Sequence, residues 1–270
     1  MDKDLNIYIK WVNRITFKVV LGNPRKSQTL RREIQNILEE NYKIQGSSIC
    51  VNDKNEIILN LTMQIPSTTD NELDENVVVG VDLGLAIPAM CSVNNDCYSR
   101  KAIGNYDDFV RTRTQMQIQR RRLQRKMKTS KGGHGRTKKL QALEKYNKYE
   151  RNFVQSYNHM ISKNVVDFAL KHKAKYINME DLSGYDGSEF VLRNWSYYEL
   201  QQYITYKANN EGIVVRKIDP HYTSQTCSKC GHIDKDNRPE QSKFKCTQCG
   251  YEENADFNAS RNIALSENFV

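Results

Sequence analysis

"VVVGVDLGLAIPAMCSV", residues 77–93, is a nearly continuous apolar run interrupted by Gly84. A run apolar at both alternations predicts a strand buried on both faces, a turn at the glycine and a second buried strand. One acid, Asp82, stands where the first strand should end. Working outward, "DCYSRKAI" (96–103) has the character of a third strand beside these two. Residues 106–172 then read as helix, broken at "KTSKGGHGRTKK" (128–139), where glycines and charge mark the tip of a helical hairpin. "AKYINMEDLSG" (174–184) returns to a short buried strand, "SYYELQQYITYKANNEG" (196–212) to an amphipathic helix with a glycine stop, and "IVVRKIDP" (213–220) to a strand closed by proline. A last helix is expected over about 256–267. Three strands, helix, strand, helix, strand and terminal helix is the element order of an RNase H-like α/β fold. In that order the first and fourth strands lie side by side and the last helix packs across them.

Upstream, "ITFKVVLG" (15–22) and "EIILNLTMQI" (56–65) alternate like strands, and "QTLRREIQNILEE" (28–40) has helical spacing, so residues 15–65 predict a small α+β unit. The polar, acidic "PSTTDNELDEN" (66–76) is its linker to the rest.

The chain has 270 residues, 38% of them hydrophobic, room for one large domain or two ordinary ones. Its formal charge of +9 is concentrated: residues 111–151 hold 15 Lys or Arg against Glu144 and Glu150 alone, which leaves the remainder mildly acidic. Such density is self-repelling unless phosphates relieve it, so Arg120, Arg121, Arg122, Arg125, Lys126, Lys128, Arg136, Lys138 and Lys139 are candidate nucleic-acid contacts. A solvated hairpin is the plainer alternative. His134 reads as a loop residue. The tyrosines and Trp195 of "RNWSYYELQQYITY" (193–206) suit packing on a sheet better than stacking on bases. No run approaches the ~18 apolar residues of a membrane span. Charges inside "MDKDLNIYIKWVN" (1–13) argue against a secretory leader, which implies a reduced cytosol.

In that compartment the seven cysteines are poor disulfide candidates. Cys50, Cys91 and Cys97 sit in apolar or strand-like sequence and are expected to pack as buried thiols. Cys227, Cys230, Cys246 and Cys249 form C-x2-C-x15-C-x2-C, two knuckles whose thiolate pairs can close tetrahedrally on Zn²⁺. Gly231 and Gly250 follow the second cysteine of each pair, where a knuckle needs a permissive backbone. With four sulfurs and no open position the zinc would be structural, and His232 is not needed as a ligand.

Asp82 ends "VVVGVD", Glu180 ends "YINME", and Asp256 opens the last helix. Singly, each has an ordinary explanation as a solvated strand-end acid or a helix N-cap. In the inferred topology they converge at one edge of the sheet, where like charges raise one another's pKa unless divalent cations intervene. Carboxylate oxygens suit Mg²⁺ or Mn²⁺, and a pair of such ions can activate water against a phosphodiester. Asp82 is then the bridging ligand, with Glu180 and Asp256 completing one ion each. Asp181 would face the other side of the strand. Arg261 is placed to reach a scissile phosphate, with a surface role as competitor, and Asn258 is a supporting residue of the site.

The segments "GVDLG" (80–84), "NMEDLSG" (178–184) and "HYTSQTCSKCG" (221–231) through "KCTQCGYEENADFNASRNIA" (245–264) resemble the three RuvC motifs and inserted zinc ribbon of transposon-encoded TnpB nucleases and miniature type V CRISPR effectors. "GGHGR" (132–136), "LRNWSYYELQQYITYKA" (192–208) and "KIDPHYTSQ" (217–225) resemble the V-F branch most closely. The resemblance implies a partial wedge-type unit over 1–75 and a RuvC domain over 76–222 with the basic hairpin inside it. It further implies a nucleic-acid-binding zinc ribbon over 223–253 and a terminal RuvC helix over 254–270. It implies DNA cleavage by Asp82, Glu180 and Asp256, with Arg261 in the site, on DNA chosen by a guide RNA. It also implies a prokaryotic cytosolic setting and assembly as a homodimer or with a longer protomer. Family members usually carry a longer N-terminal half. A non-cleaving nucleic-acid-binding subunit and a strand-joining transposase are the rival readings.

Overall fold

The computed structural model describes residues 7–10, 14–25, 27–52, 55–64, 71–84, 86–129, 132–181 and 197–270. It divides into Met1–Ser67 and Thr68–Val270, a boundary inside the expected linker.

The first unit holds the antiparallel pair β1 (Tyr8–Lys10) and β2 (Thr16–Lys18), the helix α1 (Gln28–Leu38) and a second antiparallel pair, β3 (Lys43–Val51) and β4 (Ile57–Gln64). β1 and β3 escaped the sequence reading. Among the described residues of this unit none is fully buried. Ile44, Val51 and Ile57 are each more than half exposed.

The second unit is built on a five-stranded sheet. Its strands are β5 (Asp74–Asp82), β6 (Ala89–Val93), β7 (Asp96–Ile103), β8 (Ala174–Glu180) and β9 (Val214–Ile218), in the spatial order β7-β6-β5-β8-β9. β6 pairs antiparallel with β5 and β7, while β8 pairs parallel with β5 and β9. The first and fourth strands are therefore neighbours, as expected. β5 begins inside the expected linker, where the Asp74 N–H donates to the Lys173 carbonyl at 2.7 Å.

Parity along β5 assigns the two faces. Val77, Val79 and Val81 join Ile177 and Met179 of β8 in a core under two helices, α3 (His134–Lys171), through Ile161, Val165 and Ala169, and α4 (Tyr197–Asn210), through Leu200 and Ile204. The other face receives α5 (Ala255–Leu265). There a Cβ on Gly80 would lie 2.1 Å from the Ser260 carbonyl oxygen and 2.3 Å from the Ala264 nitrogen, so glycine is what lets α5 lie directly on β5. Asn178, opposite Gly80 in register, donates to the Ile263 carbonyl at 3.0 Å and fixes the same helix from β8.

Before α3 comes α2 (Tyr106–Lys128), capped by the Asn105 side chain, which accepts from the Asp107 and Asp108 N–H groups at 2.9 and 3.3 Å. Phe109 stacks on Phe153 at 5.6 Å between centroids and anchors α2 to α3. Further out, the buried Glu150 of α3 holds two arginines of α2, Arg120 at 3.0 Å and Arg113 at 3.6 Å. No helix among the described residues is long and apolar enough to cross a membrane. Cys91 is buried, but Cys50 and Cys97 are exposed, against expectation. Cys97 lies on β7, which among the described residues is an edge strand of the sheet.

Candidate active site and zinc-binding module

Asp82 is the last residue of β5 and Glu180 the last of β8. The parallel register pairs Val81 with Met179, so the two acids follow side by side on the α5 face. Asp256 enters from above, on the first turn of α5. It is not the cap of that helix: Asn254 is, its side chain accepting from the Phe257 N–H at 3.0 Å. The carboxylate of Asp256 is thereby left to face the sheet edge.

The electrostatics register this convergence. Burial, then the charges of Glu180 and Asp256, push the Asp82 carboxyl well above the ordinary carboxylate range, while Arg238 pulls in the other direction. Burial likewise raises Glu180, whose Oε1 accepts from the Thr223 hydroxyl at 2.5 Å, and raises Asp256, which Arg238 opposes. Arg238 Nη2 lies 3.9 Å from Asp256 Oδ1, and its guanidinium is held by the Gln241 carbonyl at 2.6 Å. From α4, Gln201 donates to the Glu180 carbonyl at 2.9 Å and Tyr197 to the Gly84 carbonyl at 3.2 Å, fixing the backbone at both strand ends.

Three half-buried carboxyls with raised pKa form a hard-oxygen donor set that divalent cations would relieve. Among the described residues, only the four cysteines form a cluster of three or more His, Cys, Asp or Glu with ligand atoms all within 4.8 Å. The carboxylates stand wider than a one-ion cage, as a site with one bridging acid and two outer acids allows.

The cysteines themselves fit zinc. Cys227 Sγ lies 3.7 Å from Cys249 Sγ, and Cys230 Sγ 3.6 Å from Cys246 Sγ. The edge of a tetrahedron with Zn–S bonds of about 2.3 Å is about 3.8 Å. Each knuckle closes on its glycine, Gly231 N–H to the Cys227 carbonyl at 2.8 Å and Gly250 N–H to the Cys246 carbonyl at 3.0 Å, with φ of +76° and +69°. The buried Asn237 joins the knuckles, donating to the Gln225 carbonyl at 2.8 Å and accepting from the Thr247 N–H at 2.8 Å. His232 turns to Asp234, 3.7 Å away.

Other sequence-predicted residues lie elsewhere. Arg261 is buried and donates to the carbonyls of Val93, Asn94 and Asp96 in the β6–β7 turn, at 2.9 Å in the last case. Val93 pairs with Val79, three residues back from Asp82, so this turn is ~10 Å down the strand from the acids. A five-residue step also rotates a side chain about 140° around a helix, away from Asp256. Asn258 docks the first knuckle, donating to the Thr226 carbonyl at 2.8 Å and accepting from the Ser228 N–H at 3.0 Å. The Asp181 N–H donates to the Ile218 carbonyl at 2.9 Å, and its charge supports the Lys217 amine, which burial depresses to about 8.

Of the basic set, Arg121, Arg122, Arg125, Lys126, Lys128, Arg136 and Lys138 are exposed, whereas Arg120 is engaged by Glu150 and Lys139 donates to the Lys126 carbonyl at 3.0 Å. His134 opens α3 instead of lying in the loop. Tyr197 packs on the core and Tyr198 is 72% exposed, while Trp195 lies outside the described residues. Sequence reasoning missed Arg238 and Thr223, whose approach to the acids depends on how the ribbon folds back. Asn254 was legible as a capping residue two positions before Asp256.

A protein-family profile described as "Cas12f1-like, TNB domain" matches residues 197–263. The chain is 42% identical over 233 residues to a CRISPR-associated endodeoxyribonuclease Cas12f1 of Sulfoacidibacillus thermotolerans, covering 85% of this chain and 55% of that protein. It is 30% identical over 208 residues to the putative RNA-guided DNA endonuclease InsQ of Escherichia coli (strain K12), covering 72% of this chain and 50% of that one. The cryo-EM structure of a Cas12f1–sgRNA–target DNA complex superposes with a TM-score of 0.74 at 26% identity, over 95% of this chain and 53% of that one. The chain thus spans about half the length of the relatives it matches.

Proposed function

Since this chain is related to the miniature type V-F nucleases and their TnpB-like kin, we propose that it is the RuvC-type catalytic portion of an RNA-guided DNA endonuclease. The observation that carries this reading is the meeting of Asp82, Glu180 and Asp256 from two adjacent strand ends and a crossing helix. The strand order β7-β6-β5-β8-β9, with α5 across β5 and β8, supports an RNase H-like fold.

Asp82, which feels the charges of both other acids, would hold the cations together with Glu180 and Asp256. Two Mg²⁺ or Mn²⁺ ions held there would supply water activation and stabilise the leaving oxygen of a phosphodiester. The protein's own residues orient and shield. Thr223 and Gln201 fix Glu180, and Asn254 frees Asp256 from capping. Arg238, beside Asp256, is the cation that can reach a phosphate oxygen as charge builds on it. Arg261 is left to hold α5 to the β6–β7 turn. Zn²⁺ on Cys227, Cys230, Cys246 and Cys249 is structural, and the ribbon borders target nucleic acid.

Guide RNA and target DNA are the proposed partners, with Arg121, Arg122, Arg125, Lys128, Arg136 and Lys138 as phosphate contacts that position without reading sequence. A second protomer, like or longer, is a further proposed partner. The second reading is a subunit that binds guide or target through the exposed basic hairpin and leaves cutting to a partner. A Mg²⁺ cleavage assay on single-stranded DNA, with the RNA that co-purifies with the chain, separates the two. The expected result is cutting that Asp82→Asn lowers by about 1000-fold, a loss of several kcal/mol of transition-state stabilisation, with RNA binding unchanged. Undiminished cutting by Asp82→Asn would refute the site, and no cutting by the wild type would favour the second reading.

A further inference from the structure

β9 ends at Ile218, paired with Glu180, and the chain then doubles back through Asp219–Thr226 before the first cysteine. This lead-in is held firmly. The Tyr222 carbonyl accepts from the Gln225 N–H at 3.0 Å, the Thr226 N–H at 2.9 Å and the Thr226 hydroxyl at 2.8 Å. Tyr222 itself has φ of +64°, a conformation that a bulky residue keeps only where its surroundings over-determine it. The result of the turn is that the next residue, Thr223, places its hydroxyl 2.5 Å from Glu180 Oε1.

The same lead-in is bolted to α5, the helix that carries Asp256. Asn262 donates to the Thr223 carbonyl at 2.8 Å and to the Thr226 carbonyl at 2.6 Å. One turn earlier Asn258 holds the Thr226 carbonyl and the Ser228 N–H, and Ser228 lies inside the first zinc knuckle. A continuous path of hydrogen bonds therefore runs from the cysteine module through one face of α5 to the carboxylate of Glu180. We propose that Thr223 is a positioning residue for cation binding: its hydroxyl fixes the Glu180 carboxylate, and the zinc module, through Asn258 and Asn262, fixes Thr223. This rests on the reading of the three acids as a divalent-cation site.

The chemistry is that of an outer hydrogen bond to a ligand. The threonine proton occupies one lone pair of Oε1 and sets the carboxylate plane, which leaves Oε2 and the remaining lone pair to a cation. Without the donor, the carboxylate must be ordered at the moment of binding. The Pro220 carbonyl, 3.1 Å from the same hydroxyl, offers the competing role of a turn bond. A turn bond would affect stability and leave cation affinity alone.

The test is Mn²⁺ titration of the zinc-loaded full chain, followed by the paramagnetic resonance signal of free Mn²⁺, with Asp82→Asn identifying the sites that belong to the acid cluster. Thr223→Val, close in shape but without the donor, is expected to weaken those sites by about 10-fold or more, with zinc content unchanged. Thr223→Ser is expected to restore wild-type affinity. If Thr223→Val does not fold, Asn262→Ala carries the test, since it leaves the hydroxyl in place and loosens its loop; weakened Mn²⁺ binding supports the proposal. Unchanged affinity in the folded variant overturns it while leaving the acid site intact. A wild-type chain with no Mn²⁺ sites sensitive to Asp82→Asn overturns the acid-site reading and this inference together.

Discussion

At Asp82, burial and two neighbouring carboxylates act in the same direction, and only Arg238 opposes them. The pH dependence follows from the sign. The folded chain holds protons on Asp82, Glu180 and Asp256 at pH values where the unfolded chain has lost them, so these groups lower stability as pH rises above the ordinary carboxylate range. Without added divalent cation, Asp82→Asn is therefore expected to melt higher than wild type, by a margin that grows as pH rises through and above the ordinary carboxylate range. Added Mg²⁺ should reverse the order by stabilising wild type alone. Melting curves across that range check this, and a constant margin would contradict it. That the three acids approach one another was legible from their places at strand and helix ends. The capping role considered for Asp256 was not resolvable, because Asn254 and Asp256 are both capping types and only backbone geometry chooses between them.

Among the elements, α5 carries the most. It brings Asp256 to the sheet, anchors the knuckle through Asn258 and ties the β6–β7 turn through Arg261. Its approach to β5 depends on Gly80, where an added methyl meets backbone and no flexible side chain could yield. Gly80→Ala is expected to cost about 1–3 kcal/mol by overpacking and to lift Asp256 from Asp82, lowering cleavage as well; chemical denaturation and the cleavage assay read the two effects. Asn258→Ala strips a buried acceptor and donor from the joint between helix and knuckle. It is expected to cost about 1–3 kcal/mol and to speed zinc release to a chelator, measured by a colorimetric zinc indicator. The five strands of the large sheet and the helices α2 to α5 were legible because their apolar periods are strong, whereas the short ribbon strands Lys243–Lys245 and Glu252–Asn254 were not read. β3 was not, since in "KIQGSSICV" the apolar residues do not alternate with the polar ones, and every residue in it is exposed. Arg261 was misassigned because position in sequence says little about direction around a helix until the rotation is counted.

For the whole molecule, charge is distributed by task. Glu150 neutralises Arg113 and Arg120 between the hairpin helices, and Arg121, Arg122 and Arg125 are exposed beyond them, where they are the proposed phosphate contacts. Replacing Arg121, Arg122 and Arg125 together by Ala is expected to weaken nucleic-acid binding at every sequence alike. The slope of log affinity against log salt should flatten by roughly 0.7–0.9 for each phosphate that is no longer neutralised, and an unchanged slope would return the hairpin to a solvated face. The cysteine module and the acid cluster are joined in the same molecule through the ribbon, which brings Thr223 to Glu180 and Arg238 to Asp256. That dependence was invisible in the cysteine spacing, which reports the knuckles and not what they are fastened to. If three acids distant in sequence make one cation site, crystals soaked in Mn²⁺ will reveal it by anomalous diffraction at the manganese edge. Peaks bounded by Asp82, Glu180 and Asp256 that vanish in Asp82→Asn crystals are the expected result; no manganese at those acids, in crystals whose cysteines hold zinc, would rule the site out.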